Sequence, residues 1–195
     1  MVPAFVLGNG ISRLGLPLDD LRQRGPVFGC NAIYREFIPD VLVATDLPIA
    51  TAIQDSGYPS RHRFYTRKPR TETGAIRVPQ DYYGYSSGPI AVALAAMAGH
   101  ERIYLIGFDL GPGKNNSFNN VYAGTEFYKP RDALPTFTGN WIRQIQRIAK
   151  DFPKATFVRV YGPTTAQIEE LQKLSNMQHW DFTILLDRIN NKEDL

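Results

Sequence analysis

Short apolar runs, each halted by small or polar residues, recur along the first half of this chain. Residues 2–7 stop at Gly8-Asn9-Gly10 with Ser12 just beyond, residues 27–29 stop at Cys30-Asn31, and residues 41–44 stop at Thr45-Asp46. Apolar runs of this length bounded by turn residues read as buried strands. Short helices fit between them, over Leu18–Arg24, around 32–37, and from Pro48 to about Ser56, where a proline suits the first helical turn. Residues 57–85 are less regular, with strand-like pieces near Phe64-Tyr65 and over 75–78. Ser86-Ser87-Gly88-Pro89 then opens a helix whose body, 90–98, is apolar all round, the mark of a helix buried on every side. The run 103–106 follows as a central strand ending at Gly107-Phe108-Asp109.

Residues 111–136 have no periodicity but carry Tyr122, Thr125 and Tyr128. Long unpatterned loops are functional or disordered, and disordered segments are poor in aromatics, so this stretch reads as a lid. Beyond it, Phe137, Trp141, Ile145 and Ile148 share one helical stripe, opposite Arg143, Arg147 and Lys150. A strand over 156–160 and a helix opened by Thr164, with Gln167 at the capping-box spacing, come next. The last residues, with Trp180 and Leu185-Leu186, are amphipathic enough to pack on a neighbour, whether in this chain or in a second subunit of a homo-oligomer.

Strands alternating with helices predict an α/β fold. The expectation is a single Rossmann-like domain over residues 1–195, with a mostly parallel sheet, helices on both faces and the lid as an insertion. In such sheets ligands bind at the carboxyl edge, which places Asn9, Asn31, Asp46 and Asp109 on one rim.

Composition narrows the partners. The net charge of the 195 residues is +3, a mild excess that suits an anionic ligand without demanding nucleic acid. The basic run Arg61, Arg63, Arg67, Lys68 and Arg70, interleaved with His62, Phe64 and Tyr65, has three readings: a single-stranded nucleic-acid surface, a grip on an acidic ligand, or a charge-protected edge strand. One cysteine excludes an internal disulfide, and Cys30 reads as a buried thiol. A lone cysteine and three dispersed histidines lack zinc-site spacing, so no metal is expected. The chain shows neither a signal-peptide pattern nor an apolar run long enough to span a bilayer. A cytoplasmic location is the expectation.

The first glycine turn does not fit a dinucleotide. Arg13 stands where the third fingerprint glycine belongs, Asn31 where an acid would hold the ribose, and the Gly-Lys-Ser/Thr of a P-loop is missing. Gly8-Asn9-Gly10 still lets backbone amides approach a phosphate, the alternative being a plain tight turn. Ser86-Ser87-Gly88 offers the same chemistry at a helix start, its alternative being simple serine capping.

These motifs resemble those of the bacterial sialyltransferases that use CMP-sialic acid to decorate lipo-oligosaccharides. The matching residues are Gly8-Asn9-Gly10-Ile11-Ser12, Cys30-Asn31 with the aromatic segment after it, Ser86-Ser87-Gly88 before an Ala-rich helix, and Ile103-Tyr104-Leu105-Ile106-Gly107-Phe108-Asp109. The order and spacing agree over about residues 4–110. Similar motifs occur in motility accessory proteins and pterin diphosphokinase-like proteins, and the lid resembles that of bacteriophage-encoded relatives.

The resemblance implies that Asn9, Ser12, Asn31, Ser86, Ser87 and Gly88 hold a CMP moiety, with Gly8, Gly10 and Asp46 beside them on the rim. It implies that lid tyrosines, here Tyr122 and Tyr128, steady the leaving phosphate in place of a metal, with no cofactor beyond the substrate nucleotide-sugar and a glycan or other hydroxyl acceptor. The family's lid histidine is the general base, yet no histidine lies between His100 and His179. Asp109 or Asp132 would have to substitute, and Asp109 equally suits a backbone-capping role. Two other functions therefore stand beside glycosyl transfer: an inactive nucleotide-binding or scaffold protein, and nucleic-acid binding through residues 61–70.

Overall fold

A computed structural model describes residues 2–195. Eight strands, β1 (Ala4–Leu7), β2 (Val27–Cys30), β3 (Val41–Val43), β4 (Phe64–Thr66), β5 (Ile76–Arg77), β6 (Arg102–Ile106), β7 (Thr156–Tyr161) and β8 (Met177–Asp181), form one sheet. Every pairing is parallel, in the order β5-β4-β3-β2-β1-β6-β7-β8. The chain runs outward from β1 to one edge, returns to the centre, and runs out to the other edge from β6. The reversal between β1 and β6 is the switch point at which a crevice opens beyond the carboxyl ends of the strands.

Helices cover both faces, which is why the central strands β1, β2, β3 and β6 are apolar without alternation. Phe5, Leu7, Leu42, Phe64, Tyr104 and Val158 face a layer built from α1 (Leu18–Arg24), α2 (Leu47–Asp55) and α6 (Phe182–Asn190). Ala4, Val6, Val43, Ile103, Leu105 and Phe157 face the other layer, built from α3 (Ser87–Met97), α4 (Gly139–Asp151) and α5 (Glu169–Gln172). Helix α3 carries the return from β5 to β6 and is buried from Ser87 to Ala96, as its uninterrupted apolar sequence requires. Among the described residues, no helix is long and apolar enough to cross a membrane.

Several local expectations are corrected. The predicted capping box fails: the helix begins at Glu169, and Thr164 gives its hydroxyl to Asp109 instead of to its own first turn. Residues 32–37 form a 3-10 turn over Asn31–Arg35. Phe137 precedes α4 and is 72% exposed, so it does not share the buried stripe of Ile145 and Ile148. The C-terminal residues pack on this chain's own sheet as β8 and α6. Arg102 and Arg188 each stand 5.0 Å over the Trp180 ring, and Trp180 meets Tyr104 edge-on at 5.5 Å. Arg24 closes the end of α6 by donating to the carbonyls of Arg188 and Ile189.

Candidate functional site

A cleft of about 440 Å³ opens over the carboxyl edge of the strands, within the size range of small-molecule sites. Asn9 and Gly10 enter it from the end of β1, Asn31 from β2, Thr45 and Asp46 from β3, Arg67 from β4, and Asp109 from β6. Ser86 and Ser87, at the start of α3, form its far wall. The lid and the start of α4 close over it through Tyr128 and Trp141.

Backbone contacts fix this rim. The amides of Gly8 and Gly10 donate to Ile106 and Gly107. A Cβ on Gly8 would lie 2.5 Å from the Gly107 oxygen, so only glycine lets the ends of β1 and β6 close together. The Ser87 hydroxyl meets the Thr45 amide and hydroxyl. Ser86 is the N-cap residue of α3 but makes no side-chain cap bond, which leaves first-turn amides and the positive helix end at the cleft.

The two asparagines carry unspent hydrogen-bonding capacity. Asn9 is 7% exposed; its Nδ2 donates to the Cys30 carbonyl at 3.1 Å, and its own carbonyl accepts from Val121. Asn31 adopts φ +55°, a left-handed conformation that is uncommon away from glycine and clusters at functional sites. The Oδ1 atoms of both are buried and find no hydrogen-bond partner among the described residues. Two buried acceptors on a cleft wall suit a ligand that brings donors.

Asp109 is placed on the rim but occupied. It is 3% exposed, and its carboxylate accepts from the Ser12 amide, the Ser12 hydroxyl and the hydroxyls of Thr164 and Thr165. Beneath it, the fully buried Arg159 donates to the carbonyls of Phe108 and Asp109. Such a carboxylate ties loops together, and its oxygens are already committed to four donors. The expected proton-accepting role of Asp109 is therefore replaced by a structural one.

Gly8, Ser12, Gly88 and Tyr122 do not line the cleft. The Ser12 hydroxyl is spent on Asp109. Gly88 makes room for a side chain, since a Cβ there would sit 2.5 Å from the Trp141 ring. Tyr122 turns inward, where the Arg13 guanidinium donates to it at 2.8 Å and it donates to Glu36, which Arg13 also pairs at 2.7 Å. Burial holds the Tyr122 phenol well above its ordinary pKa, with Arg13 opposing and Glu36 reinforcing the shift. Tyr122 thus anchors the lid to the body instead of meeting a phosphate.

Tyr128 does reach the cleft. Its oxygen accepts from the Ala32 amide at 3.3 Å. Burial, and then the neighbouring Cys30, raise its pKa well above normal, so it stays protonated with its O–H free to donate. Cys30 itself is fully buried, and desolvation pushes its thiol up to about 12.

Arg67 is a cleft residue that the basic run disguised. Its guanidinium is held by the carbonyls of Tyr83 and Tyr85 at 2.9 and 2.8 Å, and it has no ion-pair partner among the described residues. Arg70, three positions on, pairs with Asp55 instead. Arg67 and Arg70 are thus engaged differently, one towards the cleft and one on Asp55. Thr45, Arg67 and Trp141 carried only partial signals: the polar stop of β3, a cation at a strand end, and an aromatic on a helical stripe.

No protein-family model matches this sequence, and no curated protein matches it. Among solved structures, the chain is similar to the sialyltransferase CstII from Campylobacter jejuni, determined in complex with a substrate analogue, cytidine-5'-monophosphate. The identity is 16%, the match covers 90% of this chain and 84% of that chain, and the TM-score is 0.47.

Proposed function

We propose that the cleft binds a cytidine nucleotide or nucleotide-sugar, and that the protein transfers the sugar to a hydroxyl acceptor. The observation that carries this reading is the pair of buried, partnerless Oδ1 atoms of Asn9 and Asn31 beside the uncapped start of α3. Two acceptors suit ribose hydroxyls or the amino group of cytosine, and the helix start suits a phosphate. Tyr128, kept protonated, can donate to that phosphate as its charge grows on bond cleavage. Asn9, Gly10, Ser86 and Ser87, from the motifs that resemble those of the CMP-sialic-acid enzymes, line this cleft, which supports cytidine over other bases.

Calorimetry with CMP and CDP tests the proposal. Saturable heat with a matching thermal shift is expected, and the absence of both at millimolar nucleotide would overturn it. Binding with no turnover of a CMP-activated sugar would instead favour a nucleotide-binding protein without transfer activity.

A further inference from the structure

Transfer to a hydroxyl needs a group to take the acceptor's proton, and two carboxylates line the cleft, Asp46 and Asp109. Asp109 is saturated by four donors. Asp132 is exposed and does not line the cleft, and Glu36 is committed to Arg13 and Tyr122. Asp46 differs from all of these. It is exposed at the carboxyl end of β3, its side chain caps nothing, and it makes no ion pair among the described residues.

Its placement is specific. The preceding residue, Thr45, is tied to Ser87 at the start of α3, so Asp46 borders the turn that suits a phosphate. It also lines an adjoining hollow of about 240 Å³, formed with Leu47 and Ala50 of α2 and with Thr66, Arg67 and Lys68 at the end of β4. Thr45, Asp46 and Arg67 belong to both spaces and form the neck between them. A nucleotide seated against Asn9, Asn31 and Ser87 leaves the hollow open to an acceptor, and a hydroxyl entering from there meets Asp46 at the neck.

Resting on the nucleotide-sugar reading of the cleft, we infer that Asp46 is the general base and that the hollow beyond it admits the hydroxyl acceptor. The acceptor oxygen bonds to the anomeric carbon as the bond from that carbon to the phosphate oxygen breaks. The bonding pair leaves on the phosphate, and the acceptor's proton passes to the Asp46 carboxylate. Arg67 lines the same neck, its guanidinium held by the Tyr83 and Tyr85 carbonyls. The other ionisable groups around it are Lys68 from β4, Cys30 from β2, Asp109 from β6, and Tyr128 and Lys129 from the lid.

The test is Asp46→Asn, which keeps size and removes the charge at a surface position, with Asp46→Glu as its conservative companion. CMP release from CMP-sialic acid, with water or a supplied sugar as acceptor, is followed against pH, and CMP affinity is measured in parallel. Asp46→Asn is expected to lose about 10²–10⁴-fold in turnover and the acidic limb of the pH profile, while holding CMP within about threefold of the unaltered protein; Asp46→Glu should recover part of the rate. Full turnover by Asp46→Asn with an unchanged profile would overturn the assignment and leave the nucleotide site standing. Failure of the unaltered protein to bind CMP would overturn both, and CMP binding without any release by that protein would overturn the base alone.

Discussion

The Ser87 hydroxyl lies 3.0 Å from both the amide and the hydroxyl of Thr45. That pair joins the end of β3 to the start of α3 across 42 positions of sequence and fixes the neck of the cleft. Ser87 was expected to grip a ligand with its side chain, but the side chain is committed within the protein. Ser87→Ala should therefore cost about 1–2 kcal/mol of stability, because a buried amide loses its acceptor. For a chain of this size that is roughly 2–8 °C in melting temperature. Ser87→Thr, which keeps the hydroxyl, should recover part of the loss in a thermal melt.

Asn31 combines a positive φ with a buried acceptor that nothing satisfies. Both features cost stability in the free protein, and a bound ligand would offset the second. Asn31→Gly removes both, at the expense of a more flexible unfolded chain. The expected outcome is a free protein more stable by up to about 1 kcal/mol that binds CMP about tenfold more weakly, or ~1.4 kcal/mol. A loss of stability without a change in affinity would show the strain to be unrelated to binding.

Asp109 holds three loops at once, with Ser12 after β1, its own strand end, and Thr164-Thr165 after β7. Asn in its place keeps one acceptor oxygen and turns an NH2 group towards hydroxyls now used as donors. It also leaves the buried Arg159, which has no ion-pair partner among the described residues, without the neighbouring negative charge that favours its protonated form. Asp109→Asn should lose more than about 3 kcal/mol in urea unfolding. A mild cost would mean that Asp109 is not the tie its bonds describe.

The central strands and the rim were legible because their signals are local. A buried parallel strand is a short apolar run, and a polar stop at its end falls at the carboxyl edge whatever the rest of the chain does. Strand β8 escaped notice because an edge strand is covered on fewer sides: Gln178 is exposed, and the sequence Met177–Asp181 lacks an apolar run. Thr164 matched a capping pattern, yet its hydroxyl was claimed by an aspartate 55 positions earlier. Tyr122 and Arg13 are separated by 109 positions, and neither carries a sign of the other. For Thr164 and Tyr122 a long-range partner decided the outcome, and no local pattern can reveal such a partner.

Cys30 sits inside the sheet with its thiol pushed up to about 12 by burial, Arg13 opposing and Asp46 adding slightly. Thiolate is the reactive form, so the folded protein should resist a disulfide reagent at pH 8. The labelling rate should equal the rate of opening or unfolding and rise steeply in denaturant. Immediate labelling of the native protein would show that β2 is less protected than its burial indicates.

Glu36, Tyr122 and Arg13 join the lid to the body through one hydrogen-bonded ionisable cluster. Burial alone would raise the Glu36 carboxyl, but the hydrogen bonds from Tyr122 and Arg13 and the Arg13 charge outweigh it and bring it below its ordinary value. A carboxylate depressed in the folded state adds stability that is present above its unfolded value of about 4.3 and is lost as pH falls through the folded value. Glu36 is 48% exposed, so solvent screening limits this contribution to less than about 1 kcal/mol. Glu36→Gln should therefore lower stability slightly at pH 7 and have little effect near pH 3, making the acid limb of the stability curve shallower than in the unaltered protein. Because Tyr122 is the inner anchor of the lid, the same substitution should speed hydrogen exchange at the Val121 amide, which donates to Asn9. An unchanged acid limb together with unchanged exchange there would show that the lid is held by its backbone contacts alone.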